Sequence, residues 1–287
     1  MPESILMGHW TGSRIEGVPM RLKCTFGTIF FLMMTSPLAA QSFDCVIDPA
    51  VVVKVGSLVP GLLSEVLIER GDYVHKGEII ARLSSETEAA TVDLMSEQAA
   101  STSEIEAQEA RYSLAKSRLV RTRTLAERKI TSTDSLEEAI AELEVVTREL
   151  AIARMRKRIA GLELNRAKRV LEQKTIRSPI DGVVLERALF RGEYLDQDSQ
   201  LATIAKLDPL HVEAFIPVSE YGRIHPGMEA VVLPNKPIGG RYTGKVTIID
   251  RVFDAASNTF GLRVELPNPE NGLPAGHRCE ITFPAAN

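Results

Sequence analysis

Apolar and polar positions follow two different periods along this chain. From Gly61 to Leu83 (GLLSEVLIERGDYVHKGEIIARL) short alternating apolar runs are broken by glycine. That pattern predicts strand, tight turn, strand. It returns at an offset of 121 residues, from Gly182 to Ile204 (GVVLERALFRGEYLDQDSQLATI), where Glu65 aligns with Glu186, Arg70 with Arg191 and Tyr73 with Tyr194. A single hairpin of this size cannot bury its own apolar face, whereas two packed copies make a small β-sandwich. Gly61, Gly71, Gly182 and Gly192 read as turn residues requiring positive φ. Pro60 and Pro179 precede the copies at strand edges.

Between the copies the period changes. From Glu78 to Pro179 there is no interior proline, and Gly161 is the only glycine. Leu136, Leu143, Leu150, Leu164 and Leu171 fall on one seven-residue series, and Ala139, Val146, Ala153, Ala160 and Ala167 on its companion. This is the a/d pattern of a coiled coil, and Lys157 interrupts it. Ile105, Tyr112, Leu119 and Ala126 repeat more weakly, with Gln98 and Gln108 in the same seam. The stretch KITSTD, residues 129–134, predicts a turn: Ser132, Thr133 and Asp134 are all N-cap types, and Glu137 can close a capping box on Asp134. The expected element is an antiparallel hairpin of two helices, each of about 40 residues and about 60 Å. A rod inserted at a hairpin loop has its ends close together, so the host domain tolerates it.

After residue 206 short alternating runs (LHVEAFI, EAVVL, GKVTIIDRV, FGLRVEL, RCEITF) with Gly/Pro turns predict an antiparallel barrel. The predicted fold class is therefore α+β and multidomain. Residues 50–85 plus 175–205 form the β-sandwich, 86–174 the helical hairpin, and 206–284 the barrel, joined by a strand at about 44–49. Residues 1–40 read as an extension and a secretory signal starting at Met20. Arg21 and Lys23 precede the apolar run Thr25–Met34, and small residues end at Ala40. The run is shorter than the roughly 20 residues of a membrane span. An uncleaved anchor is the alternative.

Composition adds exclusions. The 287 residues carry a formal net charge of −4, are 25% charged and only 5% aromatic. Such balance gives no footprint for nucleic acid. The hairpin holds 16 basic and 16 acidic residues, although Arg118, Arg123, Arg128 and Lys129 cluster around its turn. The chain shows no nucleophile with a base, no phosphate loop and no spaced metal ligands, so neither an enzyme nor a cofactor or metal site is expected. Export would place Cys45 and Cys279 in an oxidising compartment. They pair if the first strand lies beside the last, and otherwise serve as two small buried apolar groups.

These pieces, in this order, resemble the periplasmic adaptor subunits, or membrane fusion proteins (HlyD/AcrA-like), of tripartite efflux and secretion systems. VPGLLSEVLIERGDYVHKGEIIARL and TIRSPIDGVVLERALFRGEYL are similar to the two halves of the family's lipoyl-like domain, and LDPLHVEAFIPVSEYGRIHPGMEAVV to the opening of its β-barrel. Arg121, Leu125 and Ser132 match the spacing of the family's channel-contacting motif and straddle the predicted turn. The resemblance implies a non-catalytic adaptor in the periplasm, associated with the inner membrane. It would link an inner-membrane transporter (resistance–nodulation–division class before ATP-binding cassette) to a TolC-type outer-membrane channel, as a hexameric ring, for efflux of drugs or other small molecules. One departure is that the chain ends soon after the barrel, where many members continue into a membrane-proximal domain. The competing readings are an envelope scaffold without a transporter, and a lipoyl or biotinyl carrier. A carrier needs its lysine where this chain has the helical insertion.

Overall fold

The computed structural model describes residues 41–284, so the expected signal segment, residues 1–40, lies outside the described residues. The described chain contains a closed barrel and a smaller sandwich, with the helices rising from the sandwich.

Two long strands serve both β-structures: β1 (Ser42–Val55) and β8 (Ala202–Pro217). Their first contact zone joins Cys45–Pro49 to residues 210–214, and a second joins Val51–Val55 to residues 202–206, with a register shift between. The boundary expected between residues 205 and 206 thus falls inside one continuous strand. With β9 (Glu229–Pro234), β10 (Tyr242–Ile249), β11 (Thr259–Leu266) and β12 (His277–Thr282), the strand order β1-β12-β9-β10-β11-β8 closes on itself through the β1–β8 pairing. Closure leaves the barrel no free edge. Its core contains Ile47, Leu210, Val212, Ile216, Val232, Phe260, Leu262 and Ile281. On β8, alternate residues Leu210, Val212, Ala214 and Ile216 point inward, the period-two pattern of a half-buried strand.

The sandwich contains β2 (Gly61–Val66), β3 (Tyr73–Val74), β4 (Ile79–Leu83), β5 (Thr175–Arg177), β6 (Gly182–Arg187) and β7 (Tyr194–Leu195). The sequence repeat is a structural repeat that exchanges partners. β3 of the first copy pairs with β6 of the second, and β2 pairs with β7. Leu63 N–H donates to the Glu193 carbonyl, and Gly192 N–H donates to the Leu63 carbonyl. At the equivalent positions, Val184 N–H donates to the Asp72 carbonyl and Gly71 N–H to the Val184 carbonyl. Leu63, Ile80, Leu83, Val184, Leu195 and Ile204 form the shared core.

Two of the four glycines depart from their sequence reading. Gly71 and Gly192 have φ of 96° and 88° and do occupy turns. Gly61 and Gly182 instead begin strands β2 and β6, without positive φ. Their constraint is space. A Cβ on Gly182 would lie 2.3 Å from the Ala205 carbonyl oxygen, and one on Gly61 would lie 3.3 Å from Leu83 Cδ1.

The helices also differ from expectation. α3 (Thr133–Glu172) has 40 residues, a rise of about 60 Å. The preceding arm is not one helix of that length but two, α1 (Glu86–Ala100) and α2 (Ser103–Glu127). Ser101, with ψ of 130°, breaks the helical path between them. A continuous coiled coil of two 40-residue helices is therefore not what forms. Both shorter helices pack on α3. Ion pairs Arg154–Glu109, Arg111–Glu149 and Arg118–Glu142 descend α3 while ascending α2, so the two run in opposite senses. Ala115, Leu119, Ala139, Val146, Leu150 and Ala153 are the buried residues of this seam.

Candidate functional site

The turn between α2 and α3 carries the three residues singled out by spacing. α2 ends in a Schellman motif, in which Ile130 N–H donates to the Leu125 carbonyl and Lys129 N–H to the Ala126 carbonyl. Lys129 takes the left-handed conformation (φ 57°) that glycine usually fills there. A non-glycine residue in that region costs about 1–2 kcal/mol. The turn is accordingly set by its helix-ending hydrogen bonds rather than by a flexible residue.

Arg121 and Leu125 are one helical turn apart on α2 and so share a face. Both are exposed, Leu125 at 41% and its neighbour Ile130 at 67%. Ser132 sits across the turn as the N-cap of α3, its Oγ accepting from Ser135 N–H at 3.2 Å. The capping box expected on Asp134 and Glu137 is not formed, because the helix begins two residues earlier and Ser135 occupies the third position of the first turn. Ser135 Oγ also lies 3.0 Å from Ser132 Oγ, so the Ser132 hydroxyl is already held by its own helix.

Charge is concentrated at this end. Arg118 is paired with Glu142 at 2.7 Å. Arg121, Arg123, Arg128 and Lys129 have no ion-pair partner among the described residues. The turn thus presents two exposed apolar side chains ringed by unpaired cations. Such a surface suits an apolar socket with an acidic or carbonyl-rich rim.

Away from the tip the sites are structural. Cys45 and Cys279 are opposite one another on β1 and β12, with Cα atoms 4.9 Å apart and sulfurs bonded at 2.03 Å. Gly71 and Gly192 turn the two sandwich copies, and Gly61 and Gly182 admit close packing. Among the described residues no group of three or more His, Cys, Asp or Glu is placed to hold a metal ion. A groove of about 380 Å³ between α1 and α3 is lined by Met95, Ala167 and Val170, with Glu88, Glu163 and Arg166 as its ionisable groups. It pairs no nucleophile with a base. Among the described residues no helix is long and apolar enough to cross a membrane.

One residue with a definite task was visible in the sequence only as an irregularity. Lys157, the interruption in the leucine series, donates through Nζ to the carbonyls of Ala99, Ala100 and Ser101 at 3.1–3.2 Å. These are carbonyls at the end of α1, which has no basic residue in its own last turn. A cation there also complements the helix dipole.

Comparison with known proteins covers both β-structures. Residues 51–206 match the model of the CzcB-like barrel-sandwich hybrid domain, and residues 209–287 that of the CusB-like β-barrel domain. The macrolide export protein MacA of Yersinia pestis is 25% identical over 250 residues, covering 82% of this chain and 65% of that protein. The pyoverdine export membrane fusion protein PvdR of Pseudomonas aeruginosa is 28% identical over 210 residues, 70% of this chain and 52% of the relative. The chain thus spans about half to two thirds of the length of these two curated relatives. The crystal structure of MacA from Actinobacillus actinomycetemcomitans superposes with a TM-score of 0.71 at 23% identity, covering 85% of this chain and 78% of that one. At that identity the likeness establishes the fold.

Proposed function

Because this chain belongs to the membrane fusion protein family of periplasmic adaptors, with a CzcB-like barrel-sandwich hybrid domain and a CusB-like β-barrel domain, we propose that it links an inner-membrane transporter to a TolC-type outer-membrane channel for efflux of drugs or other small molecules. Members of the family are non-catalytic, and the work assigned here is geometric. The sandwich (50–85 with 175–205) and the barrel (206–284) act near the inner membrane as domains of a six-membered ring. The helices (86–174) act as an outward-reaching arm in which α1 and α2 lie along α3. The transporter is assigned to the resistance–nodulation–division class. Many modest contacts summed around a ring give a tight assembly.

The observation that carries this reading is the helical tip. Leu125 is exposed on a turn held by its own hydrogen bonds, beside the unpaired guanidinium of Arg121, with Ser132 across the turn. Leu125 is assigned to an apolar groove of the channel, and Arg121 to hydrogen-bond acceptors at its rim. Ser132 contributes through the start of α3 that it caps, and only secondarily through its own hydroxyl.

The test is crosslinking in intact envelopes followed by mass spectrometry of captured partners, comparing wild type with Arg121→Asp. Wild type is expected to capture both an inner-membrane transporter and an outer-membrane channel, and Arg121→Asp to lose only the channel. Capture of neither by the wild-type chain would end the adaptor reading and leave an envelope scaffold in its place.

A further inference from the structure

The barrel has two unlike ends. At one, β1 and β8 run on into the sandwich. At the other, β1 and β11 begin while β8, β10 and β12 finish, since Ser42 pairs with Thr282, Cys45 with Ala214, Thr259 with Pro217 and Ile249 with Leu262. The loop from β10 to β11 (RVFDAASN, residues 251–258) projects at this free end and is exposed throughout. Val252, at 84%, is the most exposed large apolar side chain among the described residues, with Phe253, Ala255 and Ala256 beside it. The loops at the sandwich end, residues 235–241 and 267–276, show one exposed large apolar side chain, Ile238.

This tip is braced. Phe253 packs edge-on against Tyr221, ring centroids 4.8 Å apart, and Tyr221 packs edge-on at 5.2 Å against Phe260, which is buried in the barrel core. Asp254 and Thr259 exchange backbone hydrogen bonds across the loop. The Asp254 carboxylate accepts from Ala256 N–H at 2.8 Å, and the Asp250 carboxylate lies over Gly261, in the space a Cβ would take. The two nearest carboxylates are thus turned back on their own chain. Arg251 is exposed, with no ion-pair partner among the described residues. The loop presents apolar groups and one cation outward, and bracing lowers the ordering cost of burying them.

The path of the chain says what lies opposite. Ser42 opens β1 at this same end. The apolar run Thr25–Met34 ends eight residues before Ser42, at most about 28 Å of extended chain. A bilayer that holds the run is therefore within reach of the free end. The sandwich and its helices stand on the other side of the barrel.

We propose that the free end of the barrel rests on the outer leaflet of the inner membrane, with Val252, Phe253 and Ala255 entering the boundary between headgroups and acyl chains and the Arg251 guanidinium on lipid phosphate. An aromatic ring and small apolar groups suit that boundary, and an arginine beside them keeps its charge among the headgroups. The tip contributes a second hold on the lipid surface, separate from the N-terminal run, and it sets which end of the barrel faces the membrane. This deepens the adaptor reading and rests on it for the compartment.

The test uses the full chain carrying Val252→Trp, with Trp10→Phe removing the one native tryptophan. The protein is reconstituted with vesicles of phosphatidylethanolamine and phosphatidylglycerol, with and without brominated acyl chains. Emission is expected to shift to the blue and to be quenched by the brominated lipid. Leu58→Trp, on the sandwich, is expected to emit as in water and to escape quenching. Adding Ala255→Asp is expected to reverse most of the shift at the tip. Folded chains in which neither Val252→Trp nor Ala255→Trp is quenched overturn the inference and leave the loop to a protein partner. Equal quenching of Leu58→Trp overturns it too, by showing that the chain lies on lipid without a preferred end. Capture of membrane partners by the wild-type chain in intact envelopes separates the two readings. No quenching with both partners captured sinks only the lipid contact, and quenching without partners sinks only the adaptor role.

Discussion

The Lys157 ammonium lies 3.1 Å from the Ala99 carbonyl oxygen and equally close to that of Ser101, bridging α3 to the broken end of α1. The break and the cation depend on each other. Three carbonyls near the interruption need donors, and a half-buried lysine at a seam position needs acceptors. Lys157→Leu would complete the leucine series yet strand these carbonyls. We expect it to destabilise the helical pair by about 1.5–3 kcal/mol, the range for hydrogen bonds to a charged group. Amide exchange over residues 95–108 should quicken. Unchanged exchange would mean that water caps α1 equally well.

Gly182 and Gly61 occupy equivalent positions in the repeat but differ in tolerance. An added methyl at Gly182 meets backbone 2.3 Å away, and at Gly61 it meets a leucine methyl 3.3 Å away that can shift. Gly182→Ala is expected to cost about 3 kcal/mol or more, and Gly61→Ala about 1 kcal/mol or less. Urea melts of both variants decide the matter, and equal midpoints would contradict it.

The Cys45–Cys279 bond joins the first and last barrel strands across 234 residues of chain. Cys45→Ser with Cys279→Ser is expected to lose about 2–5 kcal/mol. Alkylation of denatured wild type should add two more labels after reduction than before it. No difference would show the two thiols free.

Glu88 anchors the base of α1. Lys174 donates to its carboxylate at 3.1 Å, and this bond, followed by Glu88's own backbone N–H, holds its pKa below the ordinary 4.5. A depressed carboxylate contributes stability above its unfolded-state pKa and loses it as pH falls through the lower folded value. Between pH 6 and about pH 3 the wild-type melting temperature should therefore drop further than that of Glu88→Gln. Parallel drops would show that the pair contributes nothing measurable, as many ion pairs do.

The helical turn that Arg121, Leu125 and Ser132 straddle was legible because its signals are local. Arg121, Leu125 and Ser132 fall within twelve residues of one helix end, a start signal and a turn. What escaped was which residue capped α3, since Ser132, Thr133 and Asp134 are all suitable and only tertiary placement chooses among them. The interruption after α1 escaped because the seam positions Gln98 and Ile105 keep their seven-residue spacing across it. Its local marks were Ser101, Thr102 and Ser103, whose side chains compete with helical hydrogen bonds.

Periodicity records which face of an element is buried, so the two hairpin copies, the helical insertion and the alternating barrel strands could all be read from residue order. It does not record which distant backbone receives a given hydrogen bond. Leu63 bonds to Gly192 and Glu193 rather than within its own copy, and Gly182 is needed where β6 meets Ala205 rather than in a turn. Each of these depends on two segments meeting in space, and any single stretch of sequence carries only one side of the contact.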